Sequence, residues 1–206
     1  MTERAYWDRV YGGKAERELS WFEAAPGLSA ELIAAHVRPC AAVDIGAGAS
    51  RLVDHLLDAG FAPVTALDLS GEALAMSRAR LGARAAAVDW VVGDVTAWAP
   101  PRRYGLWHDR AVFHFLADPG ARSAYLKVLD AATAPGAVAI LGTFAADGPE
   151  HCSGLPVHRC DPAELVAAVE TALPGVFTPV ESRHHRHVTP AGREQQYQFT
   201  ILRKEL

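Results

Sequence analysis

Four short segments hold most of the side chains able to do chemistry. The first, Asp44-Ile45-Gly46-Ala47-Gly48-Ala49-Ser50, couples a carboxylate to two closely spaced glycines. Gly46 and Gly48 let backbone approach a ligand, and a helix opening just after them offers unpaired N–H groups to an anion. Taken alone, the same residues also make an ordinary tight turn. The second is Asp68, which ends Thr65-Ala66-Leu67-Asp68 and follows Gly48 by 20 residues. At that separation a carboxylate behind a glycine turn reaches both hydroxyls of a ribose, whereas a lone acid more often caps a helix. The third, Gly93-Asp94-Val95, sets a carboxylate able to accept an adenine amine beside apolar cover from Val95 and Trp98. The fourth, Trp107-His108-Asp109-Arg110-Ala111-Val112-Phe113-His114, crowds ionisable groups together. Asp109 is the first choice there for a polar group facing a reacting centre, with His108 and His114 as candidate bases. A pairing of Arg110 with Asp109, and His114 as a helix cap, are the structural alternatives.

The elements that position these segments follow from hydrophobic periodicity. Apolar runs over 41–45, 64–69, 86–92, 104–108 and 137–141 read as buried strands. Between them, helical spacing predicts helices over 29–37, 51–57, 72–81, 121–132 and 163–173, with Ser50 and Asp161 as candidate caps. Strands alternating with helices mean a parallel, doubly wound α/β sheet of Rossmann-like type. Two further strand-like runs, 176–182 and 195–202, flank Thr189-Pro190-Ala191-Gly192 and predict a C-terminal antiparallel hairpin. In such sheets ligands sit beyond the carboxyl ends of the strands, which is where all four segments fall. Residues 1–27 carry Tyr6, Trp7, Tyr11, Trp21 and Phe22 with no clear period, and are read as a segment distinct from the domain at 28–206.

Composition narrows the class. The chain has 206 residues, 50% hydrophobic and 21% charged, enough for one domain with a substantial core. A net charge of -4 supplies no basic surplus for nucleic acid or an anionic membrane. No apolar run approaches a membrane span, and Met1-Thr2-Glu3-Arg4 lacks the apolar stretch of a signal peptide. Cys40, Cys152 and Cys160 are too few for a disulfide scaffold. A cytoplasmic protein is expected. Lysine occurs only at Lys14, Lys127 and Lys204 amid abundant Arg, Ala and Gly, the usage of a GC-rich and by expectation bacterial genome.

Taken together, the motifs resemble those of the class I S-adenosylmethionine (SAM) dependent methyltransferases. Val43-Asp44-Ile45-Gly46-Ala47-Gly48 is similar to their first motif, Leu67-Asp68-Leu69-Ser70 to the second and Gly93-Asp94-Val95 to the third. Tyr104-Gly105-Leu106-Trp107 through Leu116 is similar to the fourth-strand motif, and Pro135-Gly136 precedes a typical fifth strand. The resemblance implies SAM as cofactor. Asp44, Gly46, Ala47 and Gly48 would hold its methionine end, Asp68 its ribose, and Leu69, Gly93, Asp94 and Val95 its adenine. Two departures stand out: Ser50 where a third glycine is usual, and Gly105 where an aspartate is common. The aromatic N-terminal segment looks like the lid of small stand-alone enzymes of the thiopurine and tellurite-resistance kind, with Trp7 against the cofactor; packing on a sheet edge is the alternative for Trp21 and Phe22.

The substrate side is then read from what remains. Trp21, Phe22, Arg110, Phe144 and Cys152 are the candidate acceptor contacts. Cys152 and Cys160 lie with His151 and His158 in a loop after the fifth strand, a set that matches no standard zinc pattern, so no metal is expected. His184-His185-Arg186-His187 is read as solvated surface beside the hairpin loop. The expected reaction is in-line methyl transfer to a small, thiol- or chalcogen-like nucleophile. A protein-lysine methyltransferase, a nicotinamide-dependent oxidoreductase using Gly46, Gly48 and Asp68, and a non-catalytic SAM-binding protein are the rivals. Monomer and homodimer are both left open.

Overall fold

The computed structural model describes residues 3–206. Its main sheet has seven strands: β1 (Ala42–Ile45), β2 (Val64–Asp68), β3 (Val88–Val92), β4 (Tyr104–Arg110), β5 (Thr133–Phe144), β8 (Phe177–Val188) and β9 (Glu194–Lys204). They lie in the order β3-β2-β1-β4-β5-β9-β8. The first five are parallel; β9 runs antiparallel to β5 and β8 pairs back on β9. The expected doubly wound sheet with a terminal hairpin is therefore the one observed. Two two-residue strands, β6 (His151–Cys152) and β7 (Leu155–Pro156), make a separate small hairpin.

Alternate residues of each strand enter opposite cores, as the pleat requires. Ala42, Leu106, Ile140 and Ile201 join one cluster with Leu32, Leu52, Leu56 and Leu74. Those last four come from α2 (Gly27–His36), α3 (Leu52–Asp58) and α4 (Gly71–Leu81). Val43, Trp107, Leu141 and Leu202 face the other way, onto Tyr125, Leu129, Leu165 and Val169 of α5 (Pro119–Ala132) and α6 (Pro162–Ala172). The parallel register aligns the strand ends: Ile45 lies opposite both Leu67 and Asp109. The chain switches direction across the sheet at β1, so the carboxyl ends of β1, β2 and β4 open onto one crevice.

Several boundaries differ from the sequence reading. Residues 82–87 form a 3-10 run, so β3 starts at Val88. β5 and β8 are longer than their apolar stretches because pairing with β9 continues past them. Asp161 sits at the N-cap of α6 without a side-chain cap bond, whereas Asp118 caps α5 through the amide of Ala121 at 2.8 Å.

The N-terminal segment is also ordered around a helix that showed no period: α1 (Glu3–Gly12). It is held by tertiary contacts. Asp8 accepts from the Ser70 hydroxyl at 2.7 Å, and Tyr11 and Leu19 are buried with Ala49 and Ala73, flanked by Trp7, Trp21 and Phe22. Met1 and Thr2 of this segment lie outside the described residues.

Tyr11 packs directly over the glycine turn. Gly48 has φ +52°, and a Cβ placed there would lie 2.5 Å from the Tyr11 hydroxyl. Gly48→Ala is expected to cost about 1–3 kcal/mol, read by urea unfolding with tryptophan fluorescence. Adding Tyr11→Phe should recover part of the loss; an unperturbed single variant would contradict this packing.

Candidate active site

Two cavities open at the carboxyl ends of β1, β2 and β4. The larger, about 530 Å³, is lined by Ile45, Gly46, Leu67, Asp68, Leu69, Gly93, Asp94, Val95 and Thr96 on one side. Its other side is built from Trp7, Tyr11, Trp21, Arg110, Val112, Phe115, Cys152 and Leu155. The smaller, about 50 Å³, is bounded by Asp44, the 46–51 turn, His108, Phe22, Glu23 and Ser29. Gly46, Tyr11, Trp21 and Arg110 line both, so the two cavities share one wall.

Asp68 is the buried carboxylate of the larger cavity. It accepts from the amides of Gly48 at 2.9 Å and Ser70 at 2.7 Å. A carboxylate offers about four acceptor positions, so half remain for a ligand. Burial outweighs these amides and pushes its carboxyl up to about 6. Asp94 caps its own turn by accepting from the Thr96 amide and hydroxyl, both at 2.8 Å. Gly46 has φ +65°, and a Cβ there would meet Val112 at 2.1 Å, so only glycine fits the shared wall.

The aromatic segment forms the roof. Trp7 meets Phe115 edge-on at 5.1 Å and Trp21 at 6.1 Å, and Tyr11 meets Trp21 at 5.7 Å. The Tyr6 hydroxyl donates to the Ser153 carbonyl, joining α1 to the small β6–β7 hairpin whose Cys152, Leu155 and Pro156 line the cavity. Burial pushes the Cys152 thiol up to about 11, so it is neutral and nearly inert as a nucleophile.

Of the three residues expected to do proton chemistry, Asp109 and His114 line neither cavity, and His108 borders only the small one with its ring already engaged. Asp109 lines neither cavity and is fully buried. Its oxygens accept from the amides of Val112 (2.8 Å) and Phe113 (3.0 Å) and from the Tyr125 hydroxyl (2.6 Å), closing the turn after β4. His108 bridges Asp44 at 2.7 Å and the Ser29 hydroxyl at 2.9 Å, so both ring nitrogens are occupied. His114 is fully buried and its Nδ1 accepts from the Phe144 amide at 3.3 Å. Burial, with Arg110 adding to it, drives His114 down to about 3 and keeps it neutral. These expectations are corrected by burial: Asp109 and His108 at the end of β4 and His114 in the turn after it are each engaged by residues of the core rather than open to the larger cavity. Phe144 is likewise buried behind the site, against His114 and Tyr197. Phe22 lines only the small cavity, near Arg51.

Arg110 is the cation of the shared wall. It donates to the Trp21 carbonyl (3.0 Å) and to Glu23 (3.0 Å), and its guanidinium lies 5.3 Å from the Tyr197 ring centroid. Glu23 also gathers His185 at 3.7 Å and His187 at 3.4 Å. Burial alone would raise Glu23, but His187, Arg110 and His185 together hold it below its usual range. His187 is buried and bonded to the Ser20 carbonyl at 2.7 Å and His185 is half-buried, whereas His184 and Arg186 are exposed, so only part of the run is the solvated surface its polarity suggested. Glu23, His185 and His187 bring ligand-type atoms within 4.8 Å of one another. Arg110 already neutralises that carboxylate, and a divalent ion would sit against a guanidinium. The cluster therefore works as an ion-paired latch from residues 20–23 to β4 and β8. Sequence reasoning missed Glu23, Phe115, Thr96 and Leu155; no local pattern marks them.

Comparison with known proteins finds similarity to methyltransferases. Residues 42–139 match the family model described as a methyltransferase domain. No curated protein sequence matches. Among solved structures, the chain is similar to the 1,6-didemethyltoxoflavin-N1-methyltransferase of Burkholderia thailandensis, determined with 1,6-didemethyltoxoflavin and S-adenosylhomocysteine (SAH) bound. The TM-score is 0.77 at 26% identity, covering 98% of this chain and 87% of that one. A structure from work on converting a disulfide bond into a thioacetal group during echinomycin biosynthesis aligns with TM-score 0.76, 21% identity and coverage of 99% and 93%. The N-methyltransferase NodS of Bradyrhizobium japonicum, with SAH, aligns with TM-score 0.70, 14% identity and coverage of 96% and 99%. Among the described residues no helix is long and apolar enough to cross a membrane.

The position of Asp109 predicts a pH signature. Burial raises its carboxyl from 3.8 to about 6. Between those values the folded protein holds a proton that the unfolded chain has released. Stability from this group is thus full below about pH 4 and falls by roughly 3 kcal/mol as pH rises through 6. Asp109→Asn should flatten the slope of unfolding free energy against pH over that window, measured by urea denaturation. An unchanged slope would contradict the buried, turn-closing role.

Proposed function

We propose that this chain, a SAM-dependent methyltransferase of class I fold, methylates a small molecule through a soft, thiol- or chalcogen-like acceptor atom. The observation that carries this reading is the chemistry of the inner cavity wall. Among the described residues lining its buried end, Arg110 is a cation, Tyr11 is held protonated by burial, and the Cys152 thiol sits at about 11. The remaining carboxylates there, Glu3, Asp94 and Asp118, are exposed. The one buried carboxylate in that lining, Asp68, is already tied to the Gly48 and Ser70 amides and is assigned to the ribose, which leaves the acceptor to arrive with its lone pair already free.

SAM supplies an electrophilic methyl group on a sulfonium. The chain's own residues bind, orient and exclude water. Asp68 accepts from the ribose hydroxyls, and Leu69, Gly93, Asp94 and Val95 border the adenine. Gly46, Ala47, Gly48 and Asp44 border the methionine end, where Asp44 Oδ2 is buried without a partner. Trp7 and Trp21 of the N-terminal lid segment close over the crevice against Phe115, and the three rings favour a sulfonium by cation–π attraction. Arg110 beside Cys152 attracts an anionic acceptor such as a thiolate.

A second reading has its own support. The toxoflavin relative, at 26% identity, is an N1-methyltransferase determined with 1,6-didemethyltoxoflavin bound, and a nitrogen acceptor with a free lone pair likewise needs no base. Sulfur chemistry in the echinomycin-related structure agrees with the first reading only at the level of shared fold. A target lysine would need both a deprotonated amine and an open groove, and the joined α1 and β6–β7 segments narrow the entrance. The family match leaves the nicotinamide reading without support.

The test uses SAM labelled on the methyl group, incubated with the protein and a bacterial lysate, with products separated by size. Label is expected in the small-molecule or volatile fraction; label on macromolecules would overturn the substrate class. In the same protein, Asp68→Ala is expected to weaken SAH binding by roughly thirtyfold or more, for two charge-assisted hydrogen bonds lost. Wild-type affinity should also fall as pH drops below about 6, where Asp68 protonates. An unchanged titration would remove Asp68 from the ribose.

A further inference from the structure

The glycine turn is held from behind by one arginine. Three consecutive carbonyls of the turn are tied to α4. The Ser77 hydroxyl donates to Gly48 O at 2.9 Å, and Arg80 donates to Ala49 O at 2.9 Å and to Ser50 O at 2.6 Å. Ser77 and Arg80 stand three residues apart, hence on one helix face. The remaining donors of Arg80 reach two further elements. Its Nη2 lies 2.7 Å from Asp54 at the start of α3, and its Nη1 lies 3.2 Å from Glu16 of the N-terminal segment. The same Glu16 oxygen sits 3.4 Å from Arg51 Nε. The Arg80 side chain is only 14% exposed, so these bonds form largely away from water. Only a planar fork of five N–H donors can serve all of them at once.

We infer that Arg80 is the positioning residue that sets the turn bordering the cofactor and, through Glu16, makes turn formation and lid closure a single event. Two independent ties support a lid that is coupled rather than merely resting there. Tyr11 packs on Gly48 from above, while Glu16 meets Arg80 behind the turn. Glu16 also belongs to a one-turn 3-10 helix, Glu16–Glu18, none of whose own residues is buried. A ligand that stabilises the turn therefore stabilises the lid, and by reciprocity a loosened lid weakens the ligand. This rests on the SAM-binding reading given above for the turn.

The experiment compares wild type, Glu16→Gln, Arg80→Lys and the double variant. Each is characterised by melting temperature, SAH titration, steady-state kinetics in SAM, and trypsin cleavage after the exposed Lys14 and Arg17. Lysine keeps the charge but loses the fork. Folded Arg80→Lys should bind SAH roughly tenfold or more weakly, with KM for SAM raised and kcat at saturating SAM nearly unchanged. SAH should slow cleavage after Lys14 and Arg17 in wild type, and this protection should be lost in Glu16→Gln. The double variant should be no worse than Arg80→Lys, because both remove one linkage. Folded Arg80→Lys with wild-type KM for SAM, or undiminished SAH protection in Glu16→Gln, would overturn the inference. Absence of SAH binding in wild type would instead overturn the SAM-binding reading, and the coupling with it, so the two failures are told apart.

Discussion

The site depends on one buried carboxylate accepting two backbone amides. Asp68 ends β2, and its oxygens receive the N–H groups of Gly48 and Ser70. That pair of bonds fixes the glycine turn after β1 to the end of β2 and sets the start of α4. Ser70 then caps α4 at the Ala73 amide and reaches Asp8 of α1. Turn, helix and lid thus meet at this side chain, with Arg80 tying the turn and Glu16 from behind. Burial makes this arrangement costly for a charge, and the raised carboxyl records that cost; the amides offset part of it.

A second hub closes the other side. Arg110 joins β4 to Trp21 and Glu23, and Glu23 meets His185 and His187 of β8. The terminal hairpin therefore completes the site as well as the sheet, because its edge strand anchors the segment that roofs the cavity. Between the two hubs lies a chamber whose inner wall is largely apolar and aromatic, with the Asp68 carboxylate on one side and the Arg110 guanidinium on the other. Such a chamber suits aligning reactants and excluding water.

The order of strands and helices was legible because it is written in local periodicity: Ala42 to Ile45, Val64 to Asp68 and the stripe of α5 need no knowledge of distant residues. The positions of the glycine turn, Asp68 and Asp94 were legible for the same reason, since each ends a strand that aligns in a parallel sheet. The roles of Asp109, His108 and His114 were not. Their burial is decided by Tyr125, Ser29 and Phe144, far away in sequence. His187 reversed its apparent polarity because Ser20 and Glu23, more than 160 residues earlier, cover it. Helix α1 was invisible because contacts with Ala49, Ala73 and Ser70 stabilise it, and its own sequence has no stripe.

The most direct measurement is the pH dependence of kcat/KM with saturating SAM, for two small thiol acceptors of clearly different pKa. If the chain supplies no base, the acid limb of each profile follows the ionisation of its own thiol and moves between the two acceptors. A limb that stays at one pH for both would place a titrating group of the protein at the methyl and contradict the account.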